Sequence, residues 1–402
     1  MIYNLTDVRG IKCWGAHIGI KSLRRDLAII FSETPADVAA LYTRNVVISE
    51  NIKLTREHLQ NGKAQAIVVN SGNANACTGE QGQEGARAMA QTTSELLNIP
   101  KEYVVVGSTG VIGREFPTQK VVEGIKKNIP KLTNRKLAGS LAANAILTTD
   151  TFSKEGYQSF EINHVKINMA GIAKGSGMIH PDMGTMLAYI CCDISIDPEL
   201  LNKAFKESVD KSFNMITVDG DTSTNDMAVI MCNGLAQNER IVSEEDPDYK
   251  MFKFKLDDLC LHLARLIVSD GEGVTKHIEY RVINAPDVES ARKIIRTVSD
   301  SSLVKTAIYG RDPNWGRIIA AAGRAGVNFD PEKINLYVGD KDPVPLLEAG
   351  RPVTKNLSSL KRKMRATSIC FILDLNMGKA SATGWGTDLT EEYVKFNSAY
   401  TT

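Results

Sequence analysis

At 402 residues, with 24% of them charged and a formal net charge of +1, the chain is long enough for roughly two or three structural units around a large core. It has no long basic run to neutralise phosphates, so neither nucleic acid nor an acidic membrane surface is an expected partner. No apolar run reaches the roughly 18 to 20 residues of a membrane helix, and residues 1–7 lack the basic and apolar regions of a signal peptide, which makes a cytoplasmic location the expectation.

Taken in chain order, residues 25–31 and 39–47 read as two strands, 55–60 as a short helix stopped by Gly62, and 65–69 as a strand. A small polar loop, Asn70-Ser71-Gly72-Asn73-Ala74-Asn75-Ala76, precedes a helix over 80–97, whose positions Ala86, Met89, Ala90, Leu96 and Leu97 suit packing on a sheet. The strand at 101–106 runs into Gly107-Ser108-Thr109-Gly110-Val111-Ile112-Gly113. Glycines there let backbone N–H groups turn toward a bound anion, although the spacing is not that of a dinucleotide loop. Helices over 118–128 and 135–146 lead to Thr148-Thr149-Asp150-Thr151, a hydroxyl-rich cluster that also suits a capping turn. A strand over 186–196 and a helix over 198–213 come next, and a strand follows at 227–232. Between that helix and that strand, the oxygen-rich run from Asp219 to Asp226 lacks the calcium-loop spacing and its closing glutamate, and reads as turns. A long amphipathic helix within 248–268 ends near Ser269-Asp270-Gly271-Glu272-Gly273, which exposes a glutamate between two glycines. Then come a strand (277–284), a helix (288–298), a turn into an alanine-rich helix (318–325), strands at 334–338 and 368–375, and a terminal helix. Strand pairs not always separated by helices argue for an α+β fold of layered sheets flanked by helices.

Seven cysteines, Cys13, Cys77, Cys191, Cys192, Cys232, Cys260 and Cys370, contain no C-x-x-C pair and read as reduced core thiols. The six histidines form no closely spaced pair, so no metal site is expected.

The chain is organised around its middle. Gly171-Ile172-Ala173-Lys174-Gly175-Ser176-Gly177 reads as a flexible loop carrying one lysine, and it runs through His180 and Pro181 to Gly184 and Thr185, where an apolar run begins. One reading is a glycine-rich turn feeding a core strand. The other is a nucleophile at the mouth of a buried strand. A threonine hydroxyl needs a base, and its own α-amine can serve once the preceding peptide bond is cut; such an amine has a pKa of about 7.7–8.0 and is partly neutral near pH 7. The hydroxyl could make that cut itself by attacking the Gly184 carbonyl, unhindered by any Gly184 side chain. Lys174 would depress the amine's pKa and could hold a carboxylate, and the Thr109–Gly110 turn is a suitable oxyanion donor.

These segments together resemble the bifunctional glutamate/ornithine N-acetyltransferase family of arginine biosynthesis. The resemblance covers nearly the whole chain and rests on 171–187, 107–113, 148–151, 219–226, Asp312-Pro313-Asn314-Trp315-Gly316-Arg317 and 388–402. It implies an N-terminal-nucleophile-like, self-processing acetyltransferase fold. The chain would be cut between Gly184 and Thr185 into an α chain (1–184) and a β chain (185–402), assembled as a heterotetramer of two of each. It implies ping-pong transfer of acetyl from N-acetylornithine to Thr185, release of ornithine, and transfer to glutamate, with no cofactor; some members also take acetyl-CoA as donor. Residue by residue, Thr185 matches the nucleophile, Thr109 and Gly110 the oxyanion pair, and Thr148, Lys174, Thr185, Glu272, Asn397 and Thr402 the substrate-binding positions. Glu272 suits the δ-amine or α-amine of ornithine, and Lys174 a carboxylate.

The sequence departs from the family at His180-Pro181-Asp182-Met183-Gly184, where Asp182 adds a negative charge that opposes Lys174, and at the opening Gly10-Ile11-Lys12-Cys13-Trp14-Gly15. Two competing readings are an N-terminal-nucleophile amidohydrolase or aminopeptidase, which would pass the acyl group to water, and a non-catalytic nucleotide-binding module that would not cleave itself.

Overall fold

The computed structural model describes residues 3–180, 186–353 and 357–399. Its first layer is a mixed sheet of β1 (Ile11–Ala16), β2 (Leu27–Tyr42), β3 (Lys63–Asn73), β4 (Val104–Val111), β5 (Lys154–Ile162), β6 (Val165–Lys174), β7 (Leu187–Cys192) and β8 (Met227–Cys232). The order is β4-β3-β2-β8-β7-β6-β5, with β1 paired to β2. The β3–β4 and β7–β8 pairs are parallel, and the remaining pairs antiparallel. All six positions of β7 and all six of β8 are buried, as expected of strands covered on both faces.

Helices cover this sheet from two sides. α1 (Glu50–His58), α2 (Gly79–Leu97) and α3 (Thr118–Asn128) pack on the face presented by Leu27, Ile29, Val68 and Val106. α4 (Lys136–Ala145) packs on the other face, with Ile30, Ile67, Ile172 and Val229. α5 (Pro198–Lys211) and α6 (Pro247–Ser269) cover Met169, Ala188, Ile190 and Ile230. Each such apolar side chain taken from water contributes about 1.5–3 kcal/mol. α5 begins sharply because the Asp197 side chain accepts from Glu199 N and Pro198 occupies the first turn, a cap of about 1 kcal/mol.

The second layer contains β9 (His277–Ala285), β10 (Asn335–Val338), β11 (Val344–Glu348), β12 (Arg351–Pro352), β13 (Ser368–Asp374) and β14 (Ala380–Thr387), ordered β12-β11-β10-β13-β9-β14. α7 (Val288–Ser299), α8 (Ser302–Tyr309), α9 (Trp315–Gly323) and α10 (Leu357–Arg365) contribute to the core of this sheet through residues such as Ile294, Ile308, Ile318 and Met364. The last helix, α11 (Glu391–Ala399), buries none of its residues. The architecture is therefore α+β, with layered sheets flanked by helices. Among the described residues no helix is long and apolar enough to cross a membrane.

Three local expectations need correction. The strands expected at 25–31 and 39–47 are one strand, β2, whose register shifts between Phe31 and Ala36. The expected glycine turn from 107 is strand as far as Val111, held by parallel pairing to β3. Gly171 to Lys174 is not a flexible loop but the end of β6, paired with β7 at Lys174 and Leu187. The hairpin β5–β6 itself turns on Asn163 and His164, with φ of 45° and 64°. Two positive φ values in a two-residue loop define the type I′ turn that matches strand twist.

Candidate active site

Where the ends of β4, β6, β7 and β8 meet the α6–β9 connection and α11, the chain forms an open cavity of about 240 Å³. It brings together Thr109, Gly110, Thr148, Lys174, Glu272 and Asn397, all expected as site residues and drawn from separate parts of the sequence. Gly184, Thr185 and Thr402, and Asp182 with them, lie outside the described residues. Met186, the residue bonded to Thr185, lines the cavity.

β4 presents Thr109 and Gly110 at its end. Gly110 has φ +132°, and a Cβ there would collide with the Gly72 backbone, so only glycine allows β3 and β4 to approach this closely. Asn225 clasps the same place, its Nδ2 donating to the Ser108 carbonyl at 2.8 Å and to the Ala74 carbonyl. Lys174, buried at the end of β6, donates from Nζ to Thr109 Oγ1 at 3.3 Å.

Below Lys174 lies a buried ionic group absent from the sequence reading. Lys154 donates to Asp150 Oδ1 and Asp270 Oδ2, each at 2.6 Å, and all three side chains are essentially inaccessible. Asp150 also accepts from Thr148 N at 2.9 Å and Gly175 N at 2.7 Å. Asp270 accepts from Thr151 N at 2.9 Å, and its carbonyl from Ser176 Oγ at 2.6 Å. Burial alone would raise the Asp150 carboxyl, but the Lys174 and Lys154 cations and these donors hold it down to about 2. One buried cluster thus fixes the Thr148 turn, the strand end carrying Lys174, and the end of α6 two residues before Glu272.

Glu272 lines the same cavity, its N donating to the Ser176 carbonyl at 3.2 Å. A Cβ on Gly177 would collide with its carboxylate, so that glycine makes room for the acid. Asn397 Nδ2 donates to Glu272 Oε2 at 2.9 Å, and Thr390 Oγ1 donates to the Gly273 carbonyl at 2.7 Å. α11 is held over the loop by these bonds. Tyr393 of the same helix donates to Asp219 Oδ2 at 3.3 Å. Asp219 in turn accepts from Met178 N and Ile179 N at 2.7 and 2.8 Å, and burial pushes its carboxyl above the usual range. His180 follows, between Asp300 at 2.9 Å and Arg296 at 2.6 Å. His180 is therefore braced on both sides.

The run from Asp219 to Asp226, expected to be backbone-bonded turns, forms such turns and also lines the cavity. Asp219, Asp221, Asp226 and Tyr393 are site residues that pattern reasoning missed. The available signal was position: the run directly precedes β8, the parallel neighbour of the strand that opens after Thr185. Of the described lining residues, four are carboxylic acids (Asp219, Asp221, Asp226 and Glu272) and one, Lys174, is a basic side chain. That set offers a cation for a carboxylate and several acceptors for amine nitrogens. Among the described residues no group of three or more His, Cys, Asp or Glu converges as a metal ion would require.

A layered α+β chain with this charged cavity, set against a strand end with a glycine-dependent backbone turn, is an enzyme acting on small molecules. It belongs to the ArgJ family, whose model matches residues 12–402. The chain is similar to the arginine biosynthesis bifunctional protein ArgJ of Caldanaerobacter subterraneus subsp. tengcongensis, 46% identical over 395 residues, 98% of this chain and 97% of that protein. It is also similar to the protein of the same description from Thermotoga neapolitana, 47% identical over 397 residues, 98% of this chain and 99% of that protein. A crystal structure of the arginine biosynthesis bifunctional protein argJ from Bacillus halodurans is 39% identical, covers 52% of this chain and 96% of its own, and superposes with a TM-score of 0.49.

Proposed function

We propose that this chain moves an acetyl group from N-acetylornithine to glutamate through an ester on Thr185, after cutting itself between Gly184 and Thr185. The observation that carries the reading is the convergence of Thr109, Gly110, Thr148, Lys174, Glu272 and Asn397 on one cavity that also includes Met186, one bond from Thr185. In the precursor, the Thr185 hydroxyl attacks the Gly184 carbonyl and displaces the Thr185 nitrogen, giving an ester. Water hydrolyses that ester, leaving a carboxylate on Gly184 and a free α-amine on Thr185. The two products are an α chain, 1–184, and a β chain, 185–402, which assemble as two of each in the cytoplasm.

In the mature enzyme the α-amine takes the proton of the Thr185 hydroxyl as its oxygen attacks the acetyl carbonyl. The Lys174 cation favours the neutral amine. The tetrahedral oxyanion lies at Thr109 and Gly110, where fixed donors stabilise charge as it develops. Collapse breaks the amide bond, and the proton passes from the ammonium to the departing ornithine nitrogen. Glutamate then attacks the acetyl ester by the same steps in reverse. Thr148, Lys174, Glu272, Asn397 and Thr402 bind the substrate; no cofactor takes part.

Denaturing gels of purified protein should show two bands joined in sequence at Gly184–Thr185. Thr185→Ala should remain one band and lose transfer. Incubation with N-acetylornithine and glutamate should yield N-acetylglutamate; acetate alone would mean that water is the acceptor and the protein an amidohydrolase. Replacing N-acetylornithine by acetyl-CoA in the same assay tests the second donor. A wild type that is fully active yet uncut would sink the mechanism.

A further inference from the structure

Asp226 has no role in the steps above, yet of the described residues lining the cavity it alone has a buried side-chain oxygen without a hydrogen-bond partner, Oδ2. The residue is 2% exposed. It stands at the entry to β8, where Met227 N donates to the Met186 carbonyl at 2.9 Å and the Asp226 carbonyl accepts from Thr43 N at 3.0 Å. Parallel pairing of β7 and β8 therefore sets Asp226 level with Met186, at the nucleophile's end of the cavity. Ser223 serves the carboxyl group from within its own turn. A buried acceptor left open in this way costs free energy unless something fills it.

Lys174 is the cation acting on both Asp226 and Asp150. Asp150 is already occupied, by Lys154 and two backbone N–H groups. Among the described residues, the Lys174 end of the cavity thus offers one cation and one carboxyl acceptor without a partner. Glu272 is held instead by Asn397, on the helix whose Tyr393 donates to Asp219. An α-amino acid carries a carboxylate and a nitrogen on one carbon, and a cation beside a carboxyl group matches that pair.

We infer that Asp226 and Lys174 together grip the α-carbon of the substrate, Lys174 its carboxylate and Asp226 its α-nitrogen, which leaves Glu272 to the side-chain amine. The inference rests on the transferase reading and removes its ambiguity over which amine Glu272 receives. Burial drives the Asp226 carboxyl toward its protonated form despite Lys174, and the α-ammonium of ornithine or glutamate supplies the positive charge that favours ionisation.

Calorimetric titration of the cleaved enzyme with ornithine, with 5-aminopentanoic acid, which lacks the α-amine, and with norvaline, which lacks the δ-amine, tests the assignment. Wild type should bind ornithine at least tenfold more tightly than 5-aminopentanoic acid. Asp226→Ala should weaken ornithine and norvaline at least tenfold and leave 5-aminopentanoic acid unchanged, so that discrimination by the α-amine disappears. Asp226→Asn, which keeps the shape, should move the affinities in the same direction and serves if the alanine variant does not fold. Equal weakening of all three ligands, or of none, overturns the role of Asp226 alone. A variant that stays uncut would assign Asp226 to chain processing and overturn the proposal as well. Failure of wild type to bind ornithine at all would overturn the transferase reading, and this inference with it.

Discussion

At the scale of single residues, Asp226 costs the folded chain stability that a functional acid is retained to supply. Its carboxyl is raised by burial above the ordinary value of 3.8. As pH rises past that value the unfolded chain gives up the proton and the folded chain holds it, so folding is increasingly penalised. Asp226→Asn removes the titration and should therefore stabilise the protein at pH 7.5, on the order of 1–2 kcal/mol as for other functional-site replacements. The gain should nearly vanish by about pH 3, where the Asp226 side chain is mostly uncharged in the folded and the unfolded chain alike. Melting temperatures of the two proteins at the two pH values check this; a variant that melts lower at pH 7.5 would rule it out. The same scale shows what could be read from sequence. Thr109, Lys174 and Glu272 stood out because each is a reactive or charged residue set among glycines. Asp226 did not, because a carboxylate in an oxygen-rich run has the look of a turn until the pairing of β7 and β8 reveals what lies beside it.

At the scale of elements, the loops that carry the site are held by the Asp150–Lys154–Asp270 cluster rather than by packing alone. No spacing rule foretells it, since Lys154 opens a strand and Asp270 follows α6 more than a hundred residues later. Removing one member of a buried ionic group leaves the others uncompensated, typically at about 3–5 kcal/mol. Asp150→Asn should cost a loss of that order at pH 7, measured by urea unfolding. It should also lower ornithine affinity, since Thr148 and Gly175 both donate to this carboxylate. The pH dependence has a definite sign. With a folded value of about 2 against an ordinary 3.8, the Asp150 carboxylate contributes about 2 kcal/mol above pH 4, lost as pH falls toward 2. The variant's stability should be flatter than wild type across that window. An equally steep fall in both would place the acid sensitivity elsewhere. Elements were legible where periodicity is strong: 118–128 and 227–232 appear with the boundaries expected of them. β14 was not, because Ala380-Ser381-Ala382-Thr383-Gly384-Trp385-Gly386-Thr387 contains few large apolar residues. The reason is packing: a Cβ on Gly384 would collide with Ile295 and Met215.

At the scale of the whole molecule, the second sheet lends two ends to a cavity whose other walls belong to the first. β9 and β14 are antiparallel neighbours, with His277 opposite Thr387. The loop that precedes β9, carrying Glu272, and the helix that follows β14, carrying Tyr393 and Asn397, must therefore emerge at the same edge. Asp388 secures the junction by accepting from Thr275 N and Lys276 N, each at 3.0 Å. α11 adds no buried residue to either core, and its Tyr393 and Asn397 bond to Asp219 and Glu272, which line the site. Deleting residues 391–402 should thus separate stability from function. The loss of a few half-exposed hydrogen bonds, each worth about 0.5–1.5 kcal/mol, should lower the melting temperature by only several degrees. Ornithine affinity should fall at least tenfold, because Glu272 loses its Asn397 partner and the cavity loses a wall. Asn397→Ala should reproduce part of the affinity loss without any change in melting. If the truncated protein instead unfolds, α11 belongs to the fold; if it binds ornithine as wild type does, the Glu272 wall is complete without the helix.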